Sequence, residues 1–535
     1  MGFFKKTGLA LLTGLLLGAS WFSPFTFLIF IAFVPLLILT EDVYKNAKRP
    51  KGSVFFYAYI AFVTWNAIVT WWTWFASPGG SVFAITANAL LMAFAYWIFF
   101  ILYRSFQKST LPNANRKLPS AYWLLIPVWL SFEYLHTQWD LAWTWLTLGN
   151  VLSAQHNWVQ WYEFTGVSGG SLWILAVNVL IYRIAKGQNS KIRIVFTACI
   201  VLIPILLSYV IKPSNLSINK SSDQHIVIVQ PNIDPYEEKF FIAYETQLNM
   251  VYEQIKGKIT DKTNYLVLPE TFFTENIWEN EIERSNSIRF FRDSILKKYP
   301  NLIIITGAST LYRLGHEEKL TATARKFSDA DEYYDSFNTG LQLDNFEGTQ
   351  IYHKSKLVPG VERMPYPAFF KPLEKLTIDL GGTSGSLGTQ DERGVFFNKD
   401  KTIGVAPVIC YESVFGEYVT DYINKGANLI FIITNDGWWR DSPGYRQHLD
   451  YARLRAIETR CPIARCANTG ISCFIDETGE LSQATKWWEP AVISGDLSPN
   501  NKKTFYTRFG DLTSKAALLL GLVAVLWAII RRFKK

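Results

Sequence analysis

The chain has 535 residues, of which 49% are hydrophobic and 16% aromatic, and its formal net charge is +8. This length leaves room for more than one folded unit, and the apolar content is high for a protein that is soluble throughout. Much of the positive charge lies in short loops between apolar runs, so it does not require a nucleic-acid partner.

Apolar runs dominate the chain up to about residue 211 and return near its end. Each is close to the roughly 20 residues with which a helix crosses a bilayer. The predicted spans are 7–22, 24–40, 53–76, 82–104, 119–137, 165–184, 193–211 and 512–530. The first run resembles a signal peptide, but no small-residue cleavage site follows it, so we expect a retained membrane helix. The sequence predicts about eight spans in a lipid bilayer, seven within 1–211 and the last at 512–530.

Lysine and arginine residues cluster in alternate connections between these runs. The basic clusters lie at 5–6, 45–51, 104–117, 183–193 and 531–535. The connections at 23–24 and 77–81 contain no basic residue. Because positive residues favour the cytoplasmic side, both termini are predicted to be cytoplasmic and the polar block at 222–505 extracytoplasmic.

The block at 222–505 alternates short β-branched runs with helical patterns, which predicts an α/β domain. The predicted strands are 226–230, 265–269, 302–307, 402–410, 428–434, 462–467 and 491–497. The predicted helices are 236–258, 281–298 and 443–460. The glycine-rich segment 381–388 is predicted to be a flexible loop.

Three chemically complementary side chains lie in this block. Glu270 and Cys410 each close an apolar strand run, and Lys354 lies in a loop. Strand ends in α/β sheets face the crevice where ligands bind, and a thiol, a carboxylate and an ammonium group suit acyl transfer. Taken singly, each has a plainer explanation: a buried thiol, a capping carboxylate and a solvated surface lysine.

The other cysteines and the six histidines form no metal-ligand pattern. Cys461, Cys466 and Cys473 are spaced C-x4-C-x6-C, which fits no common zinc site. A structural role is favoured for them, and a disulfide in an oxidising compartment stays open. We expect no metal and no cofactor.

Short motifs around the three candidate residues resemble the nitrilase superfamily with its Glu-Lys-Cys triad. They are PET at 269–271, KSKLVP at 354–359, CYESVF at 410–415 and TNDGWW at 434–439. QHLDYARLRAIET at 447–459, ANTGIS at 467–472 and the arrangement of spans narrow the resemblance to bacterial apolipoprotein N-acyltransferases. The resemblance implies a nitrilase-like αββα sandwich on a helical membrane bundle, in the bacterial inner membrane with the catalytic domain on the periplasmic side.

The resemblance also assigns the triad residue by residue. Glu270 matches the general base and Cys410 the nucleophile. Lys354, rather than Lys356, matches the lysine that stabilises the oxyanion.

The resemblance gives two carboxylates supporting roles, and several aromatic residues are separate candidates for lipid contact. Glu412 follows the nucleophile by two positions and matches a supporting carboxylate. Glu362 matches another, although the family's usual L-V-P-F-G-E is L-V-P-G-V-E at 357–362, so that only the spacing is kept. Candidates for lipid-facing contacts, with core packing as the alternative, are Tyr366, Phe369, Phe370, Trp438 and Trp439.

The implied activity is acyl transfer in two steps. Cys410 takes an acyl chain from a membrane phospholipid as a thioester and passes it to the α-amino group of an apolipoprotein's N-terminal diacylglyceryl-cysteine, completing lipoprotein maturation. A membrane-tethered amidase or lipid hydrolase that uses water would share this triad, and the full set of spans favours transfer. A non-catalytic membrane receptor is disfavoured because all three triad positions are intact.

Overall fold

A computed structural model describes residues 1–107, 121–187, 190–213, 223–315, 317–366 and 386–533. The chain divides into two compact units. The first, here called the helical unit, comprises Met1–Trp74, Pro78–Lys212 and Phe509–Lys535. The second, here called the α/β unit, comprises Phe75–Ser77 and Pro213–Arg508.

Helices occur in both units. In chain order they are α1 (Phe3–Ala19), α2 (Val34–Asn46), α3 (Pro50–Thr70), α4 (Thr73–Ala76), α5 (Pro78–Gln107), α6 (Leu125–His136), α7 (Tyr162–Ala185), α8 (Lys191–Ile211), α9 (Tyr244–Ile255), α10 (Asn286–Phe291), α11 (Gly416–Asn424), α12 (Pro443–Thr459), α13 (Phe505–Phe509) and α14 (Leu512–Phe533).

Apolar helices long enough to cross a membrane dominate the helical unit. Within the described ranges, six segments meet this requirement by length and composition: Phe25–Asn46, Pro50–Thr70, Pro78–Gln107, Tyr162–Ala185, Lys191–Ile211 and Leu512–Phe533. Helices α1 and α6 lie where the two remaining spans are predicted, and they are shorter, with 17 and 12 residues. Apolar side chains on α8 and α14, such as Val210 and Leu519, are exposed, as a lipid-facing surface requires. The chain is a membrane protein.

The α/β unit contains fourteen strands in its described residues. They are β1 (Gln224–Gln230), β2 (Tyr265–Val267), β3 (Phe273–Trp278), β4 (Ile303–Leu314), β5 (Arg325–Lys326), β6 (Tyr333–Leu343), β7 (Thr349–His353), β8 (Phe396–Phe397), β9 (Gly404–Ile409), β10 (Leu429–Thr434), β11 (Ile463–Ala467), β12 (Cys473–Ile475), β13 (Leu481–Ser482) and β14 (Ala491–Leu497). All seven predicted strands are present, and β6 and β3 are the longest of those that the sequence analysis missed.

These strands form two sheets. The first has the order β14-β1-β2-β4-β6-β5, with β3 paired to β4 and β7 to β6; the second has the order β13-β12-β11-β10-β9-β8. In the middle of each sheet the strands are parallel: β1, β2 and β4 in the first, and β9, β10 and β11 in the second. Parallel neighbours end at the same edge, so residues that follow them in sequence are brought together there.

The sheets pack face to face with helices on their outer sides. The rings of Tyr265 in β2 and Phe431 in β10 meet edge to face at 5.2 Å, and Cys466 Sγ in β11 lies 3.2 Å from the carbonyl oxygen of Val229 in β1. Helices α9 and α10 pack on the first sheet through a buried apolar cluster, and α11 and α12 contact each other beside β9. This arrangement confirms the predicted αββα sandwich.

Two predicted helices have different bounds in the structure. The helix predicted at 236–258 begins only at Tyr244, because 235–242 form turns that carry Lys239 into the interior. The helix predicted at 281–298 is divided into a 3-10 segment, α10 and a single π-helical turn. Ser285 begins α10 by accepting a hydrogen bond from the Ile288 N–H, which interrupts a continuous helix.

Candidate active site

Each of the three predicted triad residues follows a strand. Glu270 comes three residues after β2, Lys354 directly after β7, and Cys410 directly after β9. The first two strands belong to one sheet and β9 to the other. Gly307 lies beside Glu270, where an added Cβ would be 2.4 Å from the Thr271 nitrogen, so this approach requires a glycine.

Lys354 is buried between two carboxylates. Its Nζ lies 2.9 Å from Oε1 of Glu270 and 2.8 Å from Oε1 of Glu362, and the side chain is 1% exposed. The Asn338 amide in β6 donates to the same two oxygens, at 2.8 and 3.0 Å. We call Glu270, Lys354, Glu362 and Cys410 the reaction cluster. The sequence analysis missed Asn338.

The altered L-V-P-G-V-E loop still carries Glu362 to Lys354. Gly360 adopts φ +77°, a conformation that glycine enters without a steric penalty. The Val358 N–H donates to Oε2 of Glu362 at 2.8 Å, so the loop closes on its own carboxylate. The loop with the moved glycine therefore still places Glu362 beside Lys354.

Charges within the reaction cluster control protonation. Burial raises the pKa of Glu270, but Lys354, with contributions from Asn338 and Lys239, lowers it more, so the net pKa lies below the usual range. Burial lowers the pKa of Lys354, and the charges of Glu270 and Glu362 raise it well above its usual value. The carboxylate of Glu270 is therefore ionised beside a cationic lysine.

Cys410 begins the 3-10 segment Cys410–Val414 with φ +47°, a left-handed conformation that is strained for a residue with a Cβ. Burial, followed by the charge of Glu270, raises the pKa of the thiol well above its usual value, against the lowering effect of Lys354. The resting sulfur is therefore a neutral thiol and must lose its proton to a base as it reacts.

A second group of buried charges lies behind Cys410. Oδ1 of Asp436 is 2.9 Å from His448 Nδ1, and Oδ2 is 2.6 Å from Arg465 Nη2. His448 Nε2 lies 3.1 Å from the Cys410 carbonyl oxygen and 2.9 Å from Ser413 Oγ, which also donates to that carbonyl. We call Asp436, His448, Arg465 and Ser413 the scaffold cluster, because it holds the backbone of Cys410.

Glu412 joins the two strand ends that carry Lys354 and Cys410. Its carboxylate accepts from the N–H groups of Ser355 at 2.7 Å and Ile409 at 2.9 Å. It also accepts from three tyrosine hydroxyls, those of Tyr352, Tyr418 and Tyr422. Glu412 is fully buried and bonds to the sequence neighbours of both Lys354 and Cys410.

Lys239 is a second lysine at Glu270 that the sequence analysis missed. Its Nζ donates to the Glu270 carbonyl oxygen at 3.1 Å and to Thr271 Oγ1 at 2.5 Å. Nothing in the segment YEEKFF at 236–241 distinguishes this lysine from one on a solvated helix.

The aromatic candidates contact other parts of the protein where the structure describes them. Trp438 meets Tyr236 edge to face at 5.1 Å, and Trp439 meets the ring of His448 at 5.5 Å. Tyr366 is 37% exposed. Two further candidates, Phe369 and Phe370, lie outside the described residues, as does most of the segment 381–388.

All five cysteines are free thiols. Cys466 lies in β11 and Cys473 in the adjacent strand β12, and no disulfide joins them. Among the residues that the structure describes, no group of three or more His, Cys, Asp or Glu side chains is arranged to hold a metal ion.

Comparison with known families gives two matches that divide the chain between them. The carbon-nitrogen hydrolase model matches residues 228–504, and the model of the apolipoprotein N-acyltransferase N-terminal domain matches residues 13–180. The first match contains the whole reaction cluster, and the second lies in the helical unit except for Phe75–Ser77.

Curated relatives match over nearly the whole chain. An apolipoprotein N-acyltransferase of Chlorobaculum tepidum is 29% identical over 99% of this chain and 97% of its own length. An apolipoprotein N-acyltransferase of Haemophilus influenzae is 25% identical over 98% of this chain and 95% of its own length. Among solved structures, Saccharomyces cerevisiae Nit3, a member of branch 10 of the nitrilase superfamily, matches 54% of this chain and 95% of its own, with 16% identity and a TM-score of 0.36.

Proposed function

Because the chain belongs to the carbon-nitrogen hydrolase family, whose model covers 228–504, we propose that it is an N-acyltransferase that completes lipoprotein maturation. The acyl donor is a membrane phospholipid, and the acceptor is the α-amino group of an apolipoprotein's N-terminal diacylglyceryl-cysteine. The observation that carries the proposal is the reaction cluster, in a chain that also has the apolipoprotein N-acyltransferase N-terminal domain.

The first step forms a thioester on Cys410. Its sulfur attacks the ester carbonyl carbon of the phospholipid while Glu270 accepts the thiol proton, which the ionised carboxylate beside a neutral thiol allows. The C–O bond of the ester then breaks, and the departing lysophospholipid oxygen takes the proton from Glu270. Lys354 and the N–H of Tyr411, the residue after the nucleophile, stabilise the oxyanion.

The second step moves the acyl chain to nitrogen. The neutral α-amino group attacks the thioester carbon, Glu270 accepts a proton from it, and the C–S bond breaks as sulfur recovers a proton. A thioester reacts with an amine more readily than the original oxygen ester does, so the covalent intermediate makes the transfer easier. Two lipid substrates that use one thiol in turn imply ping-pong kinetics.

The helical unit keeps both substrates at the bilayer. Each carries acyl chains that remain in lipid, so a site fed from the membrane surface avoids extracting them into water. Of the aromatic candidates among the described residues, Tyr366 is exposed and Trp438 and Trp439 are half-buried, which leaves surface for contact with acyl chains. We assign the α/β unit to the periplasmic side of the inner membrane, because lipoproteins are modified after export.

A two-substrate assay tests the proposal. Purified protein is given phospholipid with a labelled acyl chain, with and without a peptide that begins with diacylglyceryl-cysteine. Transfer predicts labelled peptide in an amide linkage and little labelled free fatty acid. Labelled fatty acid at the same rate with or without the peptide would identify a lipid hydrolase instead, and no consumption of phospholipid would refute the enzyme assignment.

Cysteine labelling tests the sidedness. Asp331, 88% exposed in the α/β unit, and Lys48, exposed after α2, are each changed to cysteine in a Cys199→Ala background that removes the exposed native thiol. With the outer membrane opened, a membrane-impermeant reagent should label Asp331→Cys in intact cells and Lys48→Cys only after lysis. The reverse pattern would place the site in the cytoplasm and exclude exported lipoproteins as acceptors.

A further inference from the structure

Lys239 is a buried ammonium group for which the mechanism above gives no role. Its side chain is 3% exposed, and both of its hydrogen bonds go to the turn that carries the proposed base. Within the described part of the chain it makes no ion pair, whereas Lys354 contacts two carboxylates. A buried cation without its own partner is costly, so a compensating interaction is expected nearby.

The charges of the site supply that interaction. Glu270 and Glu362 carry two negative charges, and Lys354 supplies one positive charge between them. Lys239 brings the sum to zero. Burial lowers the pKa of Lys239, and the charges of the Glu270 carboxylate and of a thiolate at Cys410 raise it, so that the net pKa is about 8. Without Lys239, new negative charge on sulfur or on the substrate oxygen would develop in a site that is already negative.

Lys239 also holds the backbone turn at Glu270 and Thr271. Thr271, which accepts its shorter hydrogen bond, has φ +47°, a conformation seldom adopted by a β-branched residue. The Glu270 carbonyl and the Thr271 hydroxyl are fixed by one ammonium group, so the direction of the Glu270 side chain depends on it.

We propose that Lys239 is a positioning residue for acylation: its ammonium group fixes the Glu270–Thr271 turn and offsets the excess negative charge of the reaction cluster. The proposal rests on the proposed acyl transfer, since it concerns the step that forms the thioester. It assigns Lys239 no direct contact with substrate. The charge therefore acts on the rate of acylation and not on phospholipid binding.

Four variants separate charge from hydrogen bonding. Lys239→Met removes both, Lys239→Gln retains a donor without the charge, and Lys239→Arg retains the charge. Thr271→Val removes one hydrogen-bond acceptor and keeps the ammonium group. Lys256→Met is the matched control, since Lys256 is 65% exposed and pairs with the exposed Glu253.

The measurement is the single-turnover rate of acyl-enzyme formation at increasing phospholipid concentration. Lys239→Met and Lys239→Gln should lower the limiting rate about 10- to 100-fold, which is no more than the effect of removing a direct oxyanion donor. The half-saturating phospholipid concentration should not change. Lys239→Arg should recover most of the loss. Thr271→Val should lose about 3- to 10-fold, less than Lys239→Gln, because one contact that fixes the turn is removed while the charge and the bond to the Glu270 carbonyl remain. Lys256→Met should match the wild type.

Several results would overturn the proposal. One is a limiting rate of Lys239→Gln close to that of the wild type. Another is a change in the half-saturating phospholipid concentration with no change in the limiting rate. If Lys239→Met does not fold, equal rates for Lys239→Gln and Lys239→Arg would refute a role of the charge. Normal wild-type acylation with any of these results refutes this inference alone, whereas a wild type that forms no acyl-enzyme refutes the proposed function as well.

Discussion

The reaction cluster and the scaffold cluster are both buried groups of charges around Cys410, but they are built differently. In the scaffold cluster Asp436 lies between His448 and Arg465, and all three side chains are fully buried. In the reaction cluster one ammonium group serves two carboxylates, next to a thiol that is neutral at rest. The first arrangement holds a backbone conformation, and the second combines an ionised carboxylate with a neutral thiol, as the proposed proton transfer requires.

This difference predicts which changes affect chemistry and which affect stability. Substitutions in the reaction cluster should lower the rate of acylation while the protein stays folded. Substitutions in the scaffold cluster should lower the unfolding temperature, with a smaller effect on the rate of the protein that remains folded.

Replacement of the nucleophile should have the largest effect. Cys410→Ala should abolish turnover, because the proposed thioester forms on the sulfur that is removed, and should leave the unfolding temperature in detergent nearly unchanged. The check is the rate of peptide acylation together with a thermal unfolding curve. Cys199→Ala, at an exposed thiol on α8, is the control and should be fully active. Acylation of peptide by the Cys410→Ala protein would show that the mechanism is not covalent at this residue.

Lys354→Met should have the second largest effect. We expect kcat to fall about 10²-fold or more, the scale expected for the loss of an oxyanion-stabilising group. Lys356 is the internal control, because its ammonium lies over the rings of Phe415 and Tyr418, at 5.0 and 5.9 Å, and not between the carboxylates. Steady-state rates of the two methionine variants decide the assignment. Similar losses in both would contradict the separation of their roles.

Glu362→Gln should cost about 10-fold in kcat. The amide can still accept from Val358, but Lys354 loses one of its two charge partners, while Glu270 keeps its own. The half-saturating phospholipid concentration should not change. A loss as large as that of Lys354→Met would mean that Glu362 takes part in proton transfer rather than in holding the lysine.

Asp436→Asn should have the smallest effect on the rate, within about 3-fold at temperatures where the protein is folded. It should destabilise the α/β unit by about 3–5 kcal/mol, because Arg465 remains buried without its carboxylate. Thermal unfolding is the measurement, and Asp441→Asn, at a 71% exposed side chain in the next turn, should shift the curve little.

The same variant gives a prediction for pH. Burial raises the pKa of Asp436, but Arg465 and His448 lower it more, so it lies far below the usual value. A carboxyl group whose pKa is lowered by folding contributes stability that is present above its unfolded pKa, about 3.9, and is lost as the pH falls below it. The difference in unfolding temperature between wild type and Asp436→Asn should therefore be constant from pH 7 to 5 and shrink below about pH 4. A difference that grows at low pH would contradict the ion-pair explanation.

Glu270 and Cys410 could be predicted from the residue pattern because they follow regular apolar strands, whereas the roles of Lys354, Glu362 and Glu412 were predicted through family resemblance. Glu270 and Cys410 each end a run of β-branched residues, so both the strand and its end are visible in the residue pattern. The central parallel strands are buried on both faces, which makes their sequences continuous and apolar. The apolar runs predict the strands, and the family resemblance predicts their αββα arrangement.

The residues that the sequence analysis missed depend on contacts between distant segments. Asn338 lies in β6, whose polar sequence YYDSFNTGLQL at 333–343 shows neither an apolar run nor regular alternation, although most of it is buried. Lys239 lies in a segment rich in glutamate that suggests a solvated helix, and only the folded chain shows that its ammonium group reaches Glu270. A buried polar residue is determined by its partners, and these are 31 positions away along the chain for Lys239 and 68 for Asn338.

The central claim is that Cys410 carries the acyl chain, with the reaction cluster activating it. The most direct test is intact-protein mass spectrometry after incubation with phospholipid and no acceptor, followed by peptide mapping. We predict a mass increase of one acyl chain, located on Cys410 and released by neutral hydroxylamine, as a thioester is. The increase should be absent in Cys410→Ala and strongly slowed in Glu270→Gln. An acyl chain located on another residue, or phospholipid turnover without any adduct under these conditions, would contradict the claim.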